Sequence, residues 1–164
     1  HPLRQGKGSM YEGGLRVPFI TVGPGVKPGS LSRVPVTGLD LFPTLAELAG
    51  YAKPLPKSLD GGSLTRLLRN QGQGAVQRSN SFLLFHQAVA RTAQTALIHG
   101  DYKLVKTWRG NRLELFDLSK SVEEDINLAE KLPDKTVKLH RLMTGYLDNV
   151  GAETRKITTK KANQ

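Results

Sequence analysis

The chain has 164 residues, 38% of them hydrophobic and 23% charged, enough to bury a core as one domain or two compact subdomains. No apolar run approaches the roughly 20 residues that cross a bilayer as a helix, so a membrane protein is not expected. With no cysteine the chain can form no disulfide, thiolate metal site or thiol nucleophile. A formal charge of +10 raises nucleic acid, acidic polysaccharide or an anionic substrate as partners, part of it coming from Arg155, Lys156, Lys160 and Lys161 in a polar tail read as disordered.

The chain opens on a glycine-rich block, GKGSMYEGGLRVP, in which Lys7, Glu12 and Arg16 stand on a nearly bare backbone. The apolar run VPFITV (17–22) then predicts a buried strand ended by the turn residues GPGVKPG. From Leu39 the apolar residues recur at helical period, Asp40 can cap, Pro43 fits the first turn and Gly50 can end the helix. YAKPLPKSLDGGS is a link, residues 63–70 predict a short amphipathic helix, and the glycine and glutamine stretch at 70–79 marks the organisational boundary. Beyond it SFLLFHQ, TALIH, YKLVKTW and RLELFDL predict four strands in an antiparallel meander, with Gly100-Asp101 and Arg109-Gly110-Asn111 as turns. A last helix from Pro133 carries Leu139, Leu142, Met143, Tyr146, Leu147 and Val150 on one face, to cover one side of the sheet.

The glycine block has a physical use: glycines let backbone N–H groups come close to an anion, and a lysine supplies a mobile point charge for phosphate or sulfate. It is not a Walker loop, since the G-x-x-x-x-G-K-[ST] spacing is missing. By itself the pattern is better read as a turn with a solvated lysine. Glu123-Glu124-Asp125 lacks the spaced ligands and central glycine of a calcium loop and reads as an exposed turn, and Asp148-Asn149 as a solvated helix end. His99 and His140 read as solvated.

Five blocks in order, PLRQGKGSMYEGGLRVPFITVGPG, TGLDLFPTLAELAG, LDGGSL, ALIHGDYKLVK and LELFDLSKSVEEDINLA, resemble the C-terminal third of the type I sulfatases, the formylglycine-dependent enzymes of the alkaline-phosphatase-like superfamily. The resemblance implies an α/β fold. Residues 1–75 would be the terminal strand and helices of a large α/β catalytic domain, 80–151 a small subdomain with a four-stranded antiparallel sheet and a packed C-terminal helix, and 152–164 the tail. It implies that Lys7 contacts the sulfate and the leaving oxygen, where a held cation lowers the barrier electrostatically. Glu12 and Arg16 would support the loop, the glutamate through backbone amides and the arginine through a carboxylate elsewhere. His86 stands where many of these enzymes place a histidine that reaches toward the leaving group, the alternative being a histidine hydrogen-bonded within the sheet; His1 could face the site.

The family's Ca²⁺ and formylglycine are expected only in a complete enzyme. None of the nine prolines here has serine two positions earlier, as C/S-x-P-x-R requires, and the acidic pair expected just before the lysine block would precede His1. The chain therefore reads as a fragment that is inactive alone, with no cofactor or metal of its own. Its partner would be a sulfate ester, for which sulfated glycans suit the basic charge, with neither nucleic acid nor membrane. Periplasmic or secreted localisation is the habit of the family. A phosphate or phosphonate ester hydrolase of the same superfamily, a basic nucleic-acid-binding module and a non-catalytic scaffold are the competing readings. Without upstream strands, residues 17–22 and the helix from Leu39 would expose apolar surface and promote self-association.

Overall fold

A computed structural model describes residues 3–88 and 93–154; His1 and the basic tail from residue 155, both singled out by the sequence, lie outside the described residues. The chain divides into two compact units, Pro18–Ser81 on one hand and His1–Val17 with Phe82–Gln164 on the other. The sequence places a break at 70–79, whereas here the glycine-rich opening groups with the C-terminal sheet.

That sheet is an antiparallel meander of β1 (Leu83–Gln87), β2 (Gln94–His99), β3 (Tyr102–Thr107) and β4 (Arg112–Asp117), in the order β1-β2-β3-β4. Gly100 and Asn111 take left-handed backbone in the two tight connections, at φ 58° and 51°, as turn chemistry demands. The registers Leu97↔Leu104 and Leu104↔Leu115 put three leucines on one face, and Ala96↔Val105 puts two core residues on the other. The leucine face packs against α4 (Pro133–Asn149) through Leu139, Met143 and Leu147. Val150, predicted on the same stripe, is exposed just beyond the helix end. Trp108 joins this core, and Phe82 meets the Tyr146 ring edge-on at 5.3 Å.

The opposite face is covered by the glycine-rich block: Met10 and Tyr11 pack with Ala96, Val105 and Phe116. Within this block Glu12–Leu15 forms one helical turn, α1, where sequence alone predicts only loop. Both faces of the sheet are thus buried by elements of its own unit, so every side chain on β3 meets either apolar neighbours or a specific polar partner.

In the other unit a 3₁₀ turn (Gly38–Asp40) leads into α2 (Leu41–Leu48), and α3 (Thr65–Arg69) follows the LDGGSL segment. Asp40, with no exposed surface, organises the unit. Its carboxylate accepts the amides of Thr37 and Gly62 at 2.8 and 2.9 Å and pairs with the Arg78 guanidinium at 2.7 Å. Burial pushes the Asp40 carboxyl up, but these donors outweigh it and hold the group below its ordinary range. The predicted strand at 17–22 is not formed. No segment among the described residues offers it a ladder, and Val17, Phe19, Ile20 and Val22 are exposed, as are Leu41, Phe42, Leu45 and Leu48 on α2.

Candidate functional site

Lys7 stands in a tight turn closed by the Ser9 N–H donating to the Gly6 carbonyl at 3.1 Å. Gly8 supplies left-handed backbone at φ 87°, and Gln5 adopts φ 56° on the other side. The lysine side chain is exposed and makes no hydrogen bond or ion pair among the described residues. Its turn lies directly on α1. A Cβ on Gly13 would overlap the carbonyl oxygen of Gln5, and one on Gly14 that of Ser9 while coming within 2.8 Å of the Gly6 oxygen. The pair of glycines in YEGGL is therefore a steric requirement for seating the turn.

A buried charge network fastens this seat to the sheet. Lys103 on β3, with no exposed surface, donates from Nζ to Glu12 Oε1 at 2.7 Å, and its Nζ lies 2.8 Å from Glu124 Oε1. Glu124 Oε2 accepts the N–H of Glu12 at 2.6 Å, and Arg16 Nε donates to Glu12 Oε2. Arg4, just ahead of the turn, donates to the Glu124 carbonyl at 3.0 Å and to Glu114 Oε1 at 3.1 Å, with its guanidinium 4.2 Å from the Tyr11 ring centre. The Tyr11 hydroxyl donates to Glu114 Oε2. On the same side Gln94 Oε1 accepts the Met10 amide at 3.1 Å.

Environment separates the two central carboxyls. Burial pushes Glu12 up, but Lys103 and Arg16 outweigh it and hold this carboxyl below its usual value. For Glu124 burial wins over Lys103, and the carboxyl is pushed up. Burial and the Glu114 hydrogen bond push the Tyr11 phenol up to about 12.

The predicted residues are thus brought together in part. Lys7, Glu12 and Arg16 occupy one side of the sheet, and the carboxylate that Arg16 meets is Glu12 itself, four residues back. His86 lies on the α4 side, where its Nδ1 is 2.8 Å from Thr95 Oγ1 and its ring meets Trp108 edge-on. Burial holds its imidazole below the ordinary value, offset in part by a hydrogen bond with the Glu153 backbone. His140 is not solvated as predicted: its Nε2 is 3.1 Å from the buried Lys106 ammonium, which also donates to Asn111 Oδ1 at 2.7 Å. Nor is 123–125 wholly an exposed turn, because Glu124 is 1% exposed. The sequence reading missed Lys103, Glu124, Glu114 and Arg4. The signal for Lys103 was present in YKLVKT, whose two faces both carry apolar residues.

Burial and the neighbouring Lys106 both hold His140 below its ordinary pKa. An unfolded chain accepts this proton near pH 6.5 while the folded chain refuses it, so stability contributed by neutral His140 is complete above pH 6.5 and declines as pH falls below it. Glu124, pushed up, acts in the opposite sense, which makes the useful comparison one between proteins. In urea titrations from pH 7.5 to 5.5, His140→Gln will lose less stability on acidification than the wild type; parallel profiles would refute the assignment.

A two-sided antiparallel sheet, covered by a helix on one face and on the other by a pinned turn that leaves a lysine exposed to solvent, defines a mixed α/β domain. The profile of the N-sulphoglucosamine sulphohydrolase C-terminal family matches residues 5–150. A sulfatase of Formosa agariphila is 34% identical over 169 residues, covering 93% of this chain and 31% of that protein. Arylsulfatase K of Danio rerio is 32% identical over 87% of this chain and 28% of its own length. A crystal structure from Bacteroides thetaiotaomicron, assigned to the sulfatases, superposes with a TM-score of 0.67 at 28% identity, over 92% of this chain and 33% of that one. The chain belongs to this sulfatase C-terminal family, and it spans about a third of the length of the curated relatives it matches.

Among the described residues no group of three His, Cys, Asp or Glu side chains could hold an ion. The buried carboxylates that hold the flanks of the Lys7 turn, Glu12 and Glu124, are committed to Lys103. These residues do not fit a calcium site.

Proposed function

We propose that this chain supplies Lys7 to the sulfate pocket of an enzyme that hydrolyses sulfate esters. The observation that carries the reading is the contrast within the block: Lys7 is exposed and without a partner among the described residues, while the turn beneath it is fixed by buried ion pairs. An ammonium held on packed backbone stabilises a developing negative charge without reorganising, which is how a cation lowers the barrier as the leaving oxygen separates from sulfur. Lysine suits the task as a compact point charge. Sulfated amino sugars are the substrate class that accords best with the name of the matching family and with the charge of +10, which draws anionic chains toward the site. Chemistry of bond cleavage, and the Ca²⁺ and formylglycine that serve it, belong in this proposal to the rest of a longer sulfatase, whose place would be periplasmic or secreted. His86, given its contacts on the α4 side, supports the sheet in this reading. The exposed apolar residues at 17–22 and along α2 are surfaces through which the chain alone would self-associate.

The experiment compares the complete sulfatase and this chain on an aryl sulfate and on sulfated glucosamine. Lys7→Ala in the complete enzyme will lower kcat by about 10²–10³, the cost typical of removing one group that stabilises developing charge. The isolated chain will show no turnover. Full activity of the Lys7→Ala enzyme, or turnover by the chain alone, would overturn the proposal.

A further inference from the structure

Glu124 touches both flanks of the Lys7 turn. Its carbonyl oxygen holds Arg4 at 3.0 Å, three residues before Lys7, and its carboxylate holds the Glu12 amide at 2.6 Å, five residues after it. Its backbone is left-handed at φ 55°, a conformation unfavourable for a residue with a Cβ, and its side chain is buried. A glutamate kept in such a state is over-determined by its surroundings. Those surroundings are Lys103 on the central strand β3 and the two ends of the turn, so the hub transmits the position of the sheet to residues 4–12.

We propose that Glu124 is a positioning residue for Lys7, fixing the lysine turn from both ends so that the ammonium meets the sulfate in one geometry. The inference rests on the functional reading of Lys7 given above. It assigns Glu124 no contact with substrate. Its effect must pass through Lys7, and misplacement of a catalytic group by about 1 Å can cost on the order of 10²-fold in rate. The side chain supplies two separable interactions: the amide acceptor, which glutamine retains through its own oxygen, and the negative charge facing Lys103, which glutamine lacks.

The test is a double-mutant cycle in the complete sulfatase with a sulfate ester as substrate. Glu124→Ala will lower kcat by about 10²-fold with a smaller change in KM, and Glu124→Gln by about tenfold. In the Lys7→Ala background the same substitutions will change kcat by less than about threefold, because the group they position is gone. Should Glu124→Ala not fold, the Glu124→Gln arm of the cycle decides alone, together with amide exchange at Ser9 and Gly13, which must quicken relative to the amides of β3. If the Glu124 substitutions cost as much without Lys7 as with it, or leave kcat intact in a Lys7-dependent enzyme, the proposal fails. If Lys7→Ala itself leaves kcat unchanged, it is the reading of Lys7 that fails, and this proposal falls with it.

Discussion

Replacing Lys103 by methionine will cost the protein about 3–5 kcal/mol of stability, the penalty for removing one partner of a buried ion pair and stranding the rest. Lys103 has no exposed surface and is the common neighbour of Glu12 and Glu124, both buried. Without its ammonium the two carboxylates face each other across a gap that methionine fills with hydrocarbon, and Arg16 can serve only Glu12. The pH dependence carries the sign of the cause. In the wild type, Glu12 is held below its ordinary pKa, so its stability contribution is present above the unfolded value of 4.5 and is lost as pH falls through the lower folded value. In Lys103→Met the carboxyls are pushed up, protonation relieves their burial, and the deficit relative to wild type will shrink between pH 7 and pH 5. Urea denaturation at several pH values measures this; a deficit under about 1 kcal/mol, or one that grows on acidification, would show that the triad does not carry the seat of the turn.

How much of this was open to sequence reasoning depends on the range of the interactions. The strands β1 to β4 and the helix α4 were legible because strand composition, turn residues and a three-and-four spacing are local signals that the final packing respects. VPFITV carried the composition of a strand and became none, since a strand is completed by its neighbours' hydrogen bonds and composition cannot supply them. The site divided in the same way. Lys7 was legible as a cation on a glycine turn, but the reason it is held lies far away in sequence: Lys103 and Glu12 are 91 positions apart, and Glu12 and Glu124 are 112. Glu124 was read as solvent-exposed because it sits between two acidic residues that are, and its left-handed backbone leaves no trace in residue type. YKLVKT did hold a usable clue. With apolar residues on both faces of the strand, both lysines had to be buried, and a buried lysine calls for polar partners: carboxylates for Lys103, Asn111 and His140 for Lys106.

Gly14→Ala will unseat the lysine turn, and it is the substitution in which sterics alone connect sequence to function. The added Cβ would overlap the Ser9 carbonyl and lie 2.7 Å from Ser9 Oγ and 2.8 Å from the Gly6 oxygen, two of these three being backbone atoms that no rotamer change can clear. Overpacking of this kind costs about 1–3 kcal/mol as the backbone shifts. Because the atoms displaced are those of residues 6–9, the shift falls on Lys7, and kcat of the complete enzyme will drop by about 10²-fold, well beyond what lost stability would cause at a temperature where the variant stays folded. Gly145→Ala provides the contrast. Its Cβ would meet nothing, and in the interior of α4 alanine favours the helix by about 1 kcal/mol, so stability will rise. Thermal denaturation and steady-state rates for the two variants, measured side by side, separate a glycine that is needed for close approach from one that is merely tolerated. A Gly14→Ala enzyme with wild-type kcat would mean that the turn can lift from α1 without moving Lys7, and the steric account of the YEGGL glycines would be wrong.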